Sequence, residues 1–164
     1  MRIAMVMLFS LLLPTALLAD NFVSVFMERC AEEERLLNNV NIGKAMLDRM
    51  AANTDDEELK NTFKELNSIR IISSDNVEDS KYYFKKANEL IKESFRDYEE
   101  VVSLSEIGSK ISVWVKRQGE EKQDLILILL DSDRKLSIIT VSGKINFDSI
   151  SKLSGSLRDG QQLP

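Results

Sequence analysis

Histidine is absent from the 164 residues and cysteine occurs once. Without histidine there is no Ser-His-Asp or Cys-His nucleophile pair, and no histidine-ligated zinc, haem or copper. The single cysteine, Cys30, has no second thiol in the chain to bridge, so packing has to hold the fold. Glycine is sparse, at six positions, and neither a Gly-rich phosphate loop nor a nucleophile-elbow spacing occurs among them. A basic excess is missing too: 22 lysines and arginines stand against 27 aspartates and glutamates, a net charge of −5. That balance offers no field for DNA, RNA or anionic lipid. No internal repeat or Pro-, Gly- or Ser-rich linker divides the chain.

Long apolar runs are also missing, except at one place. Arg2, the apolar stretch from Ile3 to Leu18 and the small Ala19 read as a secretory signal peptide over residues 1–19, with the mature protein beginning near Asp20. A retained anchor needs about 20 apolar residues; this run is shorter and Pro14 interrupts it. Cleavage is therefore expected, leaving no stable membrane anchor, and Cys30 lies too far beyond the cut to carry a lipid. Export to the periplasm or the extracellular space follows. Residues 20–158 are expected to form a single domain and residues 159–164 a flexible tail.

Helical spacing dominates the first half. Phe22, Val25, Phe26, Cys30 and Leu37 recur at helical steps, and Cys30 on that apolar side reads as a small buried hydrophobe rather than a reactive thiol. Residues 38–42 look extended, and Gly43 to Met50 forms a second helix whose methionines, Met46 and Met50, suit core filling or a pocket wall. Thr54 and Glu57 have capping-box spacing ahead of Leu59, Phe63 and Leu66; Asp75 and Glu78 repeat it ahead of a long helix to about Tyr98. Between them, Ile69, Ile71 and Ile72 predict a strand. That long helix buries Tyr83, Phe84, Ala87, Leu90 and Ile91 and turns Lys81, Lys85, Lys86, Glu89 and Lys92 outward.

From Glu99 the period changes to two. Val102 and Leu104, then Ile111, Val113 and Val115, alternate with polar residues as half-buried antiparallel strands. Leu125 to Leu130 is continuously apolar, as a central strand requires. Leu136 to Val141 completes the set, and Phe147, Ile150, Leu153 and Leu157 predict a closing helix over Ile145–Leu157. Helices first, an antiparallel β-meander next and a C-terminal helix last make an α+β class, with helices layered on a sheet in two layers.

Chemistry is thinly signalled. Asp131 and Asp133 flank Ser132 and would suit a hard cation, but a hairpin turn uses the same residues for its own hydrogen bonds. Asp55 to Glu58 complement a helix dipole, and Glu32 to Glu34 read as a solvated face. Ser109-Lys110, Ser142 with Lys144, and Ser151-Lys152 are adjacent pairs whose lysines would need burial to act as bases. Trp114 alternates away from Ile111, Val113 and Val115: it lies either under a helix on a second covered face or on an exposed surface as a recognition anchor.

Gly43-Lys44-Ala45-Met46-Leu47, Ser68-Ile69-Arg70-Ile71-Ile72-Ser73 and the segment Ile111 to Leu153, above all its closing run Val141-Ser142-Gly143-Lys144-Ile145-Asn146-Phe147-Asp148, resemble the exported bacterial proteins grouped as domain of unknown function 4252. The resemblance implies a small periplasmic or secreted protein of Gram-negative bacteria with no catalytic residues to carry over. Many relatives resemble lipoproteins at the cut site; this chain has no cysteine there. The expectation is a non-catalytic exported envelope protein, without cofactor or metal, acting as a protein-interaction or sensing module on another envelope protein or on itself. One alternative is a small-ligand carrier whose pocket lies between sheet and long helix, lined by Met46, Met50, Phe84 and Trp114. The other is a metal-dependent hydrolase at Asp131 and Asp133.

Overall fold

Alternating and continuous apolar strands in the second half need partners on both sides, and the earlier Ile-rich strand supplies one of them. The computed structural model describes residues 19–35, 37–119, 122–133 and 135–146. The elements are α1 (Ala19–Glu32), β1 (Asn38–Gly43), α2 (Lys44–Asn53), α3 (Glu57–Glu65), β2 (Leu66–Ser74), α4 (Val77–Ser94), β3 (Glu99–Glu106), β4 (Ser109–Gln118), β5 (Lys122–Leu130) and β6 (Leu136–Gly143). The strands form one antiparallel sheet of six in the order β1-β2-β6-β5-β4-β3. β3 to β6 are the expected meander, and β2 returns from the helical half to pair with β6. Residues 1–18 of the expected 1–19 leader, the expected closing helix from residue 147 onward, and the expected tail at 159–164 lie outside the described residues.

Strand alternation sorts the core into two clusters. On the front face, α1 and α4 cover Ile72, Trp114, Ile126, Ile128, Leu136 and Ile138, with Phe22, Phe26, Tyr83, Leu90 and Ile91 pointing down from the helices. On the back face, the α2–α3 hairpin contributes Leu47, Ala51 and Phe63 against Leu66, Ile69, Val115, Leu125 and Val141. The α+β class stands, and the hairpin adds a third layer over part of the back face. β5 is buried along its front side and covered on its back side at Leu125, with Leu127 and Leu129 half-buried, which accounts for its unbroken apolar run.

Helix boundaries differ from the sequence expectation at several helix ends, each with a local cause. α1 stops at Glu32 rather than Leu37 because Glu34 adopts φ 58°. Arg35 N–H then donates to the Cys30 carbonyl at 2.9 Å and Glu34 N–H to that of Ala31 at 3.0 Å, a Schellman closure with glutamate where glycine is usual. The two capping boxes are replaced by single caps, Asp56 two residues after Thr54 and Asn76 one residue after Asp75. Asp56 Oδ1 accepts from Glu58 and Leu59 N–H at 2.9 and 3.1 Å, and Asn76 Oδ1 accepts from Glu78 and Asp79 N–H at 3.0 and 3.4 Å. α4 ends at Ser94, and Tyr98 lies beyond it in a turn whose N–H donates to Phe95 at 3.1 Å. Asn76→Ala is expected to cost about 1 kcal/mol in urea denaturation, and Asp75→Ala under about 0.5 kcal/mol; equal costs would return the cap to Asp75.

Candidate functional site

β4 alternation sends Trp114 to the front face, where it is only 5 % exposed beneath α4. Its indole N–H donates to Asn88 Oδ1 at 3.0 Å, Asn88 Nδ2 donates to the Phe84 carbonyl at 2.9 Å, and the Lys92 ammonium lies 5.7 Å from the ring centre. Of the two roles open to Trp114, the covered one is the one its surroundings support. The four proposed pocket residues do not come together. Phe84 is half-buried on the front, whereas Met50 packs beside the back cluster and Met46, 53 % exposed, projects from α2. The sheet separates the two pairs, because α2 and α4 cover opposite faces.

A groove does run between α4 and the β3–β4 hairpin. Two adjoining cavities of about 290 and 500 Å³ share Lys81, Phe84 and Lys110. Lys85 and Lys92 stand on the helical wall, Glu100 and Ser103 on the strand wall, and Ser112 is buried in β4 beneath. Lys85 pairs with Glu89 at 3.6 Å. This groove is open and of mixed charge, with one aromatic wall: a surface for a segment of chain rather than an enclosed reaction chamber.

Beside the groove lies the outer edge of the sheet. Alternation predicts half-burial for β3, yet each of its eight residues is exposed. The cause is position: β3 is the terminal strand, α4 does not reach over it, and its back-facing Val102 and Leu104 remain 46 % and 44 % exposed. No sequence signal marks a strand as an edge; only the pairing order does.

The remaining titratable candidates have structural occupations. Burial first, and the neighbouring Glu33 second, push the Cys30 thiol up to about 11, which keeps it protonated. Around it, Arg35 pairs with Asp79 and lies 4.1 Å over the Tyr82 ring, and the Tyr82 hydroxyl donates to Glu33. The end of α1 is thereby fastened to α4, and the bond to Glu33 holds the Tyr82 phenol up to about 12. Burial, followed by the Asp124 and Asp97 carboxylates, raises the Tyr98 hydroxyl above its ordinary range. Asp131 Oδ1 accepts from Lys135 N–H at 2.8 Å and closes the β5–β6 turn. Among the described residues no three metal-binding side chains converge. Lys110 and Lys144 are exposed, the opposite of what a lysine base requires; Ser151-Lys152 lies outside the described residues.

The turns, strands and helices from the end of α1 onward coincide with a known sequence family, described as domain of unknown function (DUF4252), which matches residues 31–153. The chain belongs to the DUF4252 family. No curated protein and no solved structure matches it. What this DUF4252 member offers chemically is therefore read from its own surface: an open groove, an unpaired strand edge, and a thiol and carboxylates already engaged in packing and turns. No described helix is long and apolar enough to cross a membrane.

Proposed function

We propose that this DUF4252 protein is a non-catalytic exported interaction module that takes an extended partner segment at the β3 edge. Export rests on Arg2, the apolar stretch to Leu18 and Ala19. The observation that carries the interaction reading is β3 itself, eight exposed residues ending a six-stranded sheet. Its outer N–H and C=O groups can pair with another strand, and the groove beside it can receive that strand's side chains. A second copy is a poor occupant. Antiparallel self-pairing of Glu99–Glu106 sets Glu99 of each copy against Glu106 of the other, and like charges directly opposed are destabilising. Another envelope protein is the partner this edge admits.

The bulge supplies a clean test. Register jumps from Glu100 to Val102, so Val101 has no ladder partner in β4, and bulges tolerate proline. Mature protein is used to capture partners from envelope extract beside Val101→Pro. Recovery of a partner is expected to fall about tenfold, which is about 1.4 kcal/mol, with an unchanged melting temperature. A partner held equally by both proteins, or none held by either, would sink the edge reading.

The groove beside Phe84 favours a second reading, a small-ligand carrier. Native mass spectrometry of freshly purified protein separates the two, since a carrier retains added mass that a strand-binding module lacks.

A further inference from the structure

Charge is distributed unevenly around the β3 edge. In a chain of net charge −5, the groove beside that edge gathers Lys81, Lys85 and Lys92 from α4 and Lys110 from β4, all of them exposed. Lys85 is shared with Glu89 at 3.6 Å, an exposed pair of little strength. Among the described residues no salt bridge engages Lys81, Lys92 or Lys110. The lysines also follow the strand. A cavity of about 290 Å³ at the hairpin end holds Lys81 with Glu106 and Lys110, and the adjoining one continues to Lys92 and Glu100, so α4 runs beside β3 in the opposite sense.

A strand added at this edge meets a different environment on each side. Ser103 pairs with Ser112 and Ser105 with Lys110, which puts those serines on the front with Trp114 and the groove, whereas Val102 and Leu104 pair with Val113 and Ile111 on the back. Front side chains of the added strand therefore face the lysines. Its back side chains lie beside Val102 and Leu104, 46 % and 44 % exposed, where apolar cross-strand pairs cover them. Residues two apart on one side of a strand are separated by about 6.8 Å, close to the about 6 Å along the helix axis between Lys81 and Lys85. An acidic residue opposite Glu100 is repelled, and one opposite Ser103 or Ser105 is not. We propose that the β3 edge selects an extended segment alternating apolar and acidic residues, its apolar side chains opposite Val102 and Leu104 and its carboxylates opposite Ser103 and Ser105, directed at Lys81, Lys85 and Lys110. This rests on the strand-pairing reading and adds the chemistry of the partner.

Fluorescent peptides that alternate valine with glutamate, glutamine or lysine test this against the full mature chain. The glutamate peptide is expected to bind at least about tenfold more tightly than the glutamine peptide, with the lysine peptide weakest, and the preference should shrink at high salt. Lys81→Glu with Lys110→Glu, two exposed positions, should reverse the order of the glutamate and lysine peptides at an unchanged melting temperature. Val101→Pro should weaken all three peptides together. If the glutamine or lysine peptide binds as tightly as the glutamate one and Val101→Pro still releases it, the edge takes strands without regard to charge; selection of acidic segments is then overturned while the strand-pairing reading survives. A glutamate preference that persists in the double lysine variant would also overturn the proposal, since the charge would be read elsewhere. Binding unaffected by Val101→Pro, or no binding of any peptide, overturns both readings.

Discussion

Gly143→Ala is expected to destabilise the protein by about 3 kcal/mol or more. Gly143 ends β6 with φ 139°, a conformation an alanine adopts only under strain. A Cβ there would sit 2.7 Å from the Glu65 carbonyl oxygen, 2.8 Å from Leu66 Cα and 2.9 Å from Asn67 N. All three are backbone atoms at the junction of α3 and β2, where the β2–β6 register shifts between Leu66 and Ser68. Relief would require moving the end of a helix and the start of a central strand together, and the Lys144 to Glu65 hydrogen bond with them. Gly43→Ala is the control. No atom lies within 4 Å of its added Cβ, so its cost should stay under about 1 kcal/mol, the loss of a weak cap. Denaturant midpoints at equal slope measure both. A Gly143→Ala protein as stable as the parent would mean that the α3–β2 corner is not packed this closely.

Why the corner was invisible in the sequence bears on how far any reading of this chain can go. Gly143 looked like an ordinary strand terminator, because its close approach depends on Glu65, Leu66 and Asn67, far away along the chain. Periodicity, by contrast, is a local property, and it located β4 to β6, the two helices of the α2–α3 hairpin and the buried side of α4 without knowledge of any partner. It also set Trp114 on the face opposite Ile111, Val113 and Val115. Three kinds of feature escaped it. Caps moved by one or two residues, since Thr54 and Asp56, or Asp75 and Asn76, are comparable acceptors and only backbone angles choose between them. The end of α1 was hidden because Glu34 takes the left-handed turn normally given to glycine. Most consequentially, the pairing order was hidden: Met46 on α2 and Phe84 on α4 look equivalent as apolar helical residues, and only the order β1-β2-β6-β5-β4-β3 puts those helices on opposite faces and leaves β3 at the edge. The candidate site was thus legible in part, as a long helix beside a sheet, while its boundary residues were not.

Trp114→Ala carries the second large effect, and its direction separates core from recognition. A recognition anchor would lose its partner and keep its stability. Here the ring lies beneath α4 in the cluster with Tyr83, Ala87 and Ile126, and its removal is expected to cost about 3 to 5 kcal/mol in a denaturant titration. The hydrogen bond adds a graded control. Trp114→Phe keeps much of the apolar volume but leaves Asn88 Oδ1 without the indole donor, so its cost should fall between parent and alanine, about 1 to 3 kcal/mol. Asn88→Ala should reproduce only part of that loss: it keeps the ring and leaves the indole N–H without its acceptor, but in a site bordering the open groove water can take that place. Tryptophan emission in the parent should be blue-shifted and poorly quenched by iodide, as for a ring excluded from water. If Trp114→Ala instead keeps its denaturation midpoint and loses captured partners, α4 does not rest on Trp114, and the binding surface moves from the β3 edge to the front of β4.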